Sequence, residues 1–581
     1  MTVALVLAAQ PDAGLVGEQL RGQLAALGVR RVDAAERAGD GLLTVAAAAR
    51  AAGERVLICV GDDSVPEEVL TRLLDAGGTA AFTGPPGHGD HHTGGALVVD
   101  PADLGALAAA AEALARRRAA PADLSALLGE LSARAVAVRF LDTGPGGDGA
   151  VARWIADPVA RDVARWAAGR QLAPATLLGI SLGLGVLAGA WFTEPVIRAE
   201  ALATLILLVA FVAGRAAAQL TAIERDTPAV AWLAAAAGLL TEFGVYAALA
   251  VSAGLAGPAG TTGLYGKFGG SLSNTMLATW DGGGQVGLWR LAVAAMLLLG
   301  ARRLAEECFE GMARAAGRNL PRPARHLAGQ VITLPAGERI AVIAVTVIFF
   351  GPRLTFVVLL AWGAVAAGYI LAGQLAAAAK LTGHDGTPAR PRGVLNAYRG
   401  DGPIAYRIGA VVRGQLPPLP PLLVGLLVTV DLAFLGLGNL PGVLIFGPVV
   451  AMLLAALGAR HPHDGRADWL VPSLLLAGEG IFLTGLGFAR HVWLPVIFAL
   501  IAAVIARHAD LAYRARAGKG VPDDKYGLGW DGRMLVAGLA AGLGFVPFGY
   551  AALAAWLWLL TGWDFLGAWL KPASPEWIDP D

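Results

Sequence analysis

Three acidic residues lie inside long apolar runs of the chain: Glu242, Asp431 and Glu479. An ionised side chain is costly at membrane depth, so such residues usually pair with another group or line a cavity or pathway. One interpretation makes the three acids a proton or substrate relay of a transporter. The favoured interpretation pairs each acid with a neighbouring arginine or hydroxyl inside a bundle of helices.

Two segments near the N-terminus contain residue types that bind metals. Asp62 follows the apolar run RVLICV, and a carboxylate in that place can bind Mg²⁺. The favoured alternative is a solvated Asp62 that caps the helix beginning at SVPEE. The segment GHGDHHTGG contains His88, Asp90, His91 and His92. Because these residues are adjacent and surrounded by glycine, they indicate a solvated connection rather than a metal site.

Arginines near the ends of apolar runs are candidates for phosphate binding, namely Arg170, Arg215 and Arg225. Three charged residues further along share one face of a predicted helix: Arg507, Asp510 and Arg514. This second group could bind a lipid phosphate, but a solvated ladder of salt bridges is the favoured interpretation.

The composition places most of the chain in lipid. Hydrophobic types make up 56% of the 581 residues, and the mean hydropathy is +0.59. Basic and acidic residues balance at 45 each, so no overall field would recruit nucleic acid. Cys59 and Cys308 have no metal-ligand spacing around them and are predicted to be free thiols.

Residues 1–145 are predicted to form a soluble α/β domain. Short apolar runs such as TVALVLA and RVLICVG alternate with helical patterns such as VGEQLRGQLAALG. This alternation predicts a sheet with several parallel strands, in which ligands bind beyond the carboxyl ends of the strands. The N-terminus lacks a basic segment and its apolar run breaks at Pro11, so no secretory signal is expected.

About eleven runs after Pro174 are long enough to cross a membrane as helices. Basic residues cluster at most even-numbered exits, which places the N-terminus in the cytosol and the C-terminus outside. The stretch 151–170 has apolar residues at helical spacing between arginines, which favours an interfacial helix. The alternative is an ordinary linker helix packed on the first domain. The predicted spans centre near residues 184, 205, 242, 295, 346, 367, 430, 450, 479, 498 and 548.

The first hundred residues resemble a nucleotidyltransferase of the sugar-phosphate or inositol-phosphate cytidylyltransferase kind, through LVLAA and VLICVGDDSVPEEVLTRLL. The resemblance implies a metal-binding role for Asp62. In that family a glycine-rich loop with a basic residue holds the triphosphate, whereas here Gln10, Pro11 and Asp12 follow. The domain contains no lysine, so we expect a degenerate relative.

Residues 150–380 resemble the CDP-alcohol phosphatidyltransferase family through Arg170, Pro174, Ser181, the interfacial helix and the six predicted spans. The resemblance implies four aspartates that bind metal against a CDP pyrophosphate, the last of them a catalytic base, and it allows a dimer. Alignment to the family's pattern places small residues at these four positions, so all four carboxylates are missing. The positions are Ala213, Ala216 or Ala217, Ala234 and Gly238.

Residues 395–581 resemble a C-terminal domain of unknown function found in actinobacterial membrane proteins. The resemblance rests on AYRGDGPIAYRIG, RHADLAYRARAGKG and GLGWDGRMLVAGL. The predicted organisation has four parts: a cytosolic domain at 1–145, a six-helix membrane domain at 150–380, a cytosolic linker at 381–420 and a C-terminal membrane domain at 421–581.

These patterns favour a catalytically degenerate relative of the phosphatidyltransferases in the bacterial plasma membrane, acting in or near phospholipid or envelope-lipid metabolism. The first alternative is an active CDP-alcohol phosphotransferase of the phosphoinositol type, and the second is a lipid or solute transporter. No cofactor is expected, or Mg²⁺ if activity remains. The expected partners are membrane lipids and a CDP-alcohol or nucleotide, and no nucleic acid.

Overall fold

A computed structural model of the chain contains two compact units, one within residues 1–146 and one that begins at residue 147. The structure describes the following residues: 2–7, 24, 29, 31–35, 38–60, 70, 73–74, 79–83, 95–116, 127, 131, 134, 139–140, 149–170, 172–221, 228–255, 285–315, 327–381, 394–412, 415–434, 445–461, 463, 465–516 and 526–570.

The first unit is built on a six-stranded sheet with the order β2-β1-β3-β5-β4-β6. The pairs β1–β2, β1–β3 and β4–β6 are parallel, whereas β5 runs antiparallel to both β3 and β4. The sheet is therefore mixed. The strands are β1 Thr2–Leu7, β2 Arg31–Ala35, β3 Arg55–Val60, β4 Ala80–Thr83, β5 Gly95–Val99 and β6 Arg139–Phe140.

Two helices of the described part of this unit pack on the sheet, α1 Ala38–Ala52 and α2 Leu104–Arg116. Their alanine- and leucine-rich faces pack with the apolar side chains of β3 and β5 in one buried core. Cys59 lies in β3 and is buried, and burial raises the pKa of its thiol to about 12. A thiol with this pKa stays protonated near neutral pH, so Cys59 acts as a small apolar residue of the core.

The second unit is helical. After a short helix Gly149–Val151 and a π-helical turn Ala152–Ala156, its helices are α3 Asp157–Gly169, α4 Pro174–Phe192, α5 Ile197–Thr221, α6 Pro228–Leu255, α7 Gln285–Ala315, α8 Leu327–Ile332, α9 Ala336–Phe350, α10 Pro352–Leu381, α11 Pro403–Val412, α12 Leu419–Phe434, α13 Phe446–Leu453, α14 Val471–Ala489, α15 Leu494–Arg516, α16 Gly529–Gly542 and α17 Val546–Leu570.

Six helical stretches of the described chain are long and apolar enough to cross a membrane. They identify a multi-pass membrane protein, which confirms that prediction in its coarse form. The other five predicted span centres also lie in helices, which are not among these six stretches. The six stretches are Pro174–Phe192, Ile197–Leu220, Pro352–Ala378, Asp468–Ala489, Leu494–Ala515 and Val546–Asp564.

One buried core extends through both predicted membrane domains, and α7 lies at its centre. The ring of Trp289 on α7 meets Phe498 of α15 edge to face at 5.5 Å, and Phe309 meets Trp469 in the same way at 5.1 Å. Gly300 lies so close to Ile505 that a Cβ there would stand 2.8 Å from an Ile505 methyl group. Helices from the two halves of the second unit therefore pack as one body.

Candidate functional site

The alanines at the C-terminal end of α5 are covered by helix α3. Ala216 and Ala217 are fully buried, and they belong to one apolar cluster with Ala160, Ala164 and Ala167 of α3. Small side chains on both helices allow the two backbones to approach closely. The alanine-rich stretch after Ala213 therefore forms a helix–helix contact rather than the wall of a cavity.

An ion pair fixes the same contact. Arg215 on α5 donates from Nε to Oδ1 of Asp157 on α3 at 2.9 Å, and its Nη2 lies 2.9 Å from the same oxygen. Both side chains are largely buried. A phosphate would have to compete with this carboxylate, so Arg215 serves mainly to hold α3 against α5.

Arg170, the second predicted phosphate ligand, is exposed at the end of α3. Its guanidinium lies over the ring of Trp166, 5.5 Å from the centroid. Trp154 and Trp166 are exposed on the side of the interfacial segment opposite the buried alanines. Tryptophan and arginine in this arrangement are typical of a helix at the level of lipid headgroups. Arg225 lies outside the described residues.

The two other positions aligned to the phosphatidyltransferase pattern lie on α6. Ala234 packs at the edge of the α3–α5 cluster, and Gly238 is exposed on α6. Ser181 donates its hydroxyl to the carbonyl of Ala210 at 2.7 Å, which joins α4 to α5. Within the described part of the chain, no group of three or more metal-binding side chains comes together. Asp62 and GHGDHHTGG lie outside that part.

Glu242 is paired inside the bundle. Arg339, at the start of α9, donates to both of its carboxylate oxygens, at 2.6 Å from Nε and 3.0 Å from Nη2. The Tyr246 hydroxyl, one turn along α6, donates to the same carboxylate at 2.7 Å. A bidentate pair with a third donor neutralises the acid and joins α6 to α9.

Glu338, next to Arg339, binds the beginning of the interfacial segment. Its Oε1 accepts from the backbone N–H groups of Ala150 and Val151, the latter at 3.2 Å. These amides begin a helix and have no partner within it, so a carboxylate satisfies them and complements the helix dipole. Gly149, immediately before them, has a φ of 72° and lies against the same carboxylate. Two acid–donor contacts, at Asp157 and Glu338, thus hold the segment in place.

Glu479 is fully buried in α14 and forms a second bidentate pair. Arg533 of α16 donates from Nε to Oε1 at 2.6 Å and from Nη2 to Oε2 at 2.8 Å. His508 of α15 places its Nε2 3.5 Å from Glu479 Oε2 and 3.3 Å from Arg533 Nη2. The third guanidinium nitrogen donates to the Gly527 carbonyl at 3.0 Å. Three helices therefore meet at this group.

A second polar centre lies in the stretch predicted to be a linker. Arg399 is fully buried. It donates from Nε to Asp401 at 2.6 Å and from Nη2 to the Ala455 carbonyl at 3.1 Å. The Trp530 indole N–H donates to the other oxygen of Asp401 at 2.8 Å. Residues 394–412 form a 3₁₀ turn and α11 and contribute Leu395, Tyr398 and Ala405 to the buried core. This part of the predicted linker is thus packed structure.

Asp531 caps α11 from the neighbouring helix α16. Its two oxygens accept from the backbone N–H groups of Gly402 at 2.6 Å and of Ile404 and Ala405 at 2.9 Å each. Three amides at the first turn of α11 are therefore satisfied by one side chain. The stretches AYRGDG, RHAD and GWDGR, which carry the C-terminal resemblance, meet at this centre and the neighbouring Glu479 pair.

His463 is buried beside Arg399 and is held as one neutral tautomer. Its Nε2 lies 3.0 Å from Arg399 Nη1, which can only donate, so Nε2 accepts. Its Nδ1 then carries the proton and donates to the His461 carbonyl at 2.5 Å. Burial, reinforced by the nearby Arg399 charge, lowers the pKa of His463 to about 3.

The charged residues on one face of α15 form ion pairs with one another and with an acid of α17. Asp510 lies 3.1 Å from Arg507 and 2.8 Å from Arg514, and Asp564 of α17 contacts both arginines. Two carboxylates therefore balance two guanidinium groups, which favours the ladder of salt bridges over a lipid-phosphate site. The network also differs from the expectation in its burial, since Arg507 and Asp510 are almost fully buried.

Asp431 is unlike the other two acids because its side chain is exposed on α12. Sequence reasoning found all three acids but not their surroundings. It missed Asp157, Arg339, Asp401, His463 and Arg533 as functional partners. Each of these is a charged or titratable residue next to an apolar run, which is the signal that could have identified it.

Comparison with known families finds a match that covers about a third of the chain. Residues 390–576 match DUF5941, a family of unknown function. The match confirms the prediction of a C-terminal domain of unknown function, and it begins within the stretch predicted to be a linker. A comparison with curated proteins finds no match.

Proposed function

We propose that this protein is a catalytically degenerate relative of the CDP-alcohol phosphatidyltransferases that serves as a binding or scaffolding component of phospholipid or envelope-lipid metabolism. The observation that carries the proposal is the contact between α3 and α5. The related enzymes would hold their first two metal-binding aspartates at Ala213 and at Ala216 or Ala217. All three alanines are buried, and Ala216 and Ala217 pack against α3. Transfer from a CDP-alcohol requires metal to neutralise the pyrophosphate, and alanine supplies no ligand.

The orientation and the first domain extend this proposal. Basic residues at the exits of the spans favour a cytosolic N-terminus and an extracytoplasmic C-terminus in the plasma membrane. The exposed Trp154, Trp166 and Arg170 then lie at the cytosolic headgroup level and favour membrane lipids as partners. The nucleotidyltransferase-like interpretation of residues 1–145 belongs to the same proposal, with its basic phosphate loop absent.

The test measures binding and turnover of CDP-diacylglycerol, CDP-inositol and CTP by the purified full-length protein in detergent, with and without Mg²⁺. We expect no Mg²⁺-dependent release of CMP. Release of CMP would contradict the proposal and support an active phosphotransferase. In that event Asp157→Asn should abolish turnover, since Asp157 is the acid that contacts α5 beside Arg215. Asp162→Asn, on the exposed side of the same helix, is the matched control.

A second candidate function is lipid or solute transport, which is favoured by the buried ionisable group of Glu479, Arg533 and His508 inside the helical body. Buried charges among membrane helices commonly mark transport pathways. The test follows movement of fluorescent phospholipids and of protons in proteoliposomes. Transport that Glu479→Gln abolishes and Glu194→Gln preserves would establish this function. Lack of movement in the wild-type protein would exclude it for the substrates tested.

A further inference from the structure

Asp431 lies on an apolar face of α12 that is turned away from the protein. The exposed residues of this face are Leu423, Val424, Leu427 and Val428, and Asp431 follows them at the same helical spacing. On the opposite side of α12, Leu422 and Thr429 are buried against the bundle. The carboxylate is thus part of an outward-facing apolar stripe.

The depth of Asp431 follows from the neighbouring helix. Gly478, near the middle of the candidate span Asp468–Ala489, lies beside Leu426, whose methyl group would be 3.4 Å from a Cβ at that glycine. Asp431 is five residues further along α12, about 7.5 Å at roughly 1.5 Å per residue. The hydrocarbon core extends about 15 Å on either side of its centre, so Asp431 lies within it.

Lipid tails cannot satisfy a carboxylate at this depth. The other two intramembrane acids have bidentate arginines, Arg339 for Glu242 and Arg533 for Glu479. Among the described residues no basic side chain pairs with Asp431, and its carboxylate is open to a donor that approaches from the exposed side of α12. The helical segment 446–458 packs on α12. Its exposed residues Val450 and Leu454 extend the apolar surface around Asp431.

We infer that this face of α12 is a docking surface for a transmembrane helix of a partner protein that carries a lysine or arginine opposite Asp431. Charge complementarity selects this occupant. A second copy in symmetric contact would bring the two Asp431 carboxylates together, and like charges repel in a medium of low dielectric constant. The apolar residues supply packing, and the basic side chain supplies the pairing that fixes register.

The inference extends the proposed scaffolding role to a partner class, and it stands on a different site. Docking is measured by association with a transmembrane peptide, whereas the proposed function is tested by release of CMP. Failure of one proposal therefore leaves the result for the other unchanged.

The experiment uses the full-length protein, labelled with a fluorescent donor, in phosphatidylcholine vesicles with acceptor-labelled polyleucine transmembrane peptides. Three peptides carry a central arginine, leucine or glutamate. We expect energy transfer to the arginine peptide at tenfold lower peptide density than to the leucine peptide, and none above background to the glutamate peptide. Asp431→Asn should reduce the preference for arginine at least fivefold, and Asp431→Leu should abolish it.

Glu194→Gln is the matched control, because it removes an exposed acid outside α12 and should leave the preference intact. Equal binding of the arginine peptide by wild type and Asp431→Leu would overturn the inference. Self-association of the wild-type protein that outcompetes the arginine peptide and requires Asp431 would also overturn it, in favour of a second copy. The Asp431→Asn variant keeps the size of the side chain, so the preference can be measured even if Asp431→Leu does not fold.

Discussion

At the residue scale, charged groups in the second unit are arranged as closed pairs. Glu479 with Arg533 and Glu242 with Arg339 are both bidentate, and each is joined by a third polar side chain. Such pairs are poor evidence for stability by themselves, because desolvation offsets most of the attraction. Such pairs specify how the helices pack, because a packing that separates the two partners leaves a buried charge without its counter-charge.

Removal of Glu479 tests this account of the buried pair. Glu479→Leu leaves the Arg533 guanidinium buried without its carboxylate, so we expect a loss of about 3–5 kcal/mol in the free energy of unfolding. The double variant Glu479→Leu/Arg533→Met should recover most of that loss. Unfolding by SDS titration in mixed micelles measures both, with Glu194→Gln as an exposed control that should change stability by less than about 0.5 kcal/mol. Equal losses in the single and double variants would contradict this prediction.

His463 makes stability depend on pH. Its pKa is about 3 in the fold and near 6.5 in the unfolded chain, so the unfolded state binds more protons between these values. The contribution of the neutral ring is complete above about pH 6.5 and is lost as the pH falls toward 3. We therefore expect the midpoint temperature of thermal unfolding in detergent to decrease as the pH is lowered from 7.5 to 5.

His463→Gln should flatten this dependence on pH, because it removes the titrating ring beside Arg399. His491→Asn is the matched control, since His491 is exposed and has a φ of 52°, a conformation that asparagine tolerates. The control should keep the wild-type slope. An unchanged slope in His463→Gln would show that other groups cause the loss.

At the element scale, helix α3 determines which residues at the C-terminal end of α5 are accessible. Its alanines pack on Ala216 and Ala217, while the Asp157–Arg215 pair and the Glu338 contacts with the preceding turn fix its position. In this arrangement Ala216 and Ala217 are fully buried and contact helix α3. The absence of acids and the close packing are therefore two aspects of one arrangement.

Substitutions at two vacated positions should act in opposite directions. Ala217→Leu adds atoms to a fully buried contact, and we expect it to destabilise the protein by about 1–3 kcal/mol. At Gly238 a Cβ would find nothing within 4 Å, so Gly238→Ala should stabilise α6 by about 0.5–1 kcal/mol. Thermal unfolding in detergent measures both. A stable Ala217→Leu variant would mean that α3 does not close this site.

Apolar runs were enough to predict the helices, but not their partners. The centres near 184, 205, 367, 479, 498 and 548 lie in candidate spans, because long apolar segments have few alternatives in lipid. The partner of Glu479 is 54 residues away in the chain and that of Glu242 is 97 residues away. Local spacing carries no information about such pairs. Arg399 and Asp401 were assigned to a linker because polar residues and proline surround them, and only packing shows their burial.

At the scale of the whole molecule, the second unit has one core although the sequence suggested two membrane domains. Met296 and Leu299 of α7 are buried in the same cluster as Ile501 and Leu483. The family match at 390–576 thus covers helices that share their core with segments outside the match. The DUF5941 segment is part of a larger packed body in this chain.

Division of the chain tests whether the halves depend on each other. We expect co-expressed fragments 1–387 and 388–581 to purify as one complex, because their apolar faces complete a common core. Gly300→Leu, which would collide with Ile505, should reduce recovery of the complex several-fold. Gly183→Leu is the control, since a Cβ there meets nothing within 4 Å. Recovery of two separate, monodisperse fragments would contradict a shared core.

The central position of α7 has a consequence for biosynthesis. This helix carries Arg302, Arg303 and Glu306 and is absent from the six stretches that are apolar enough to span by themselves. Its packing partners on α14 and α15 are synthesised long after it leaves the ribosome. We therefore expect α7 to pack first against α6 and α10 and to complete its contacts only when the last third of the protein has been made.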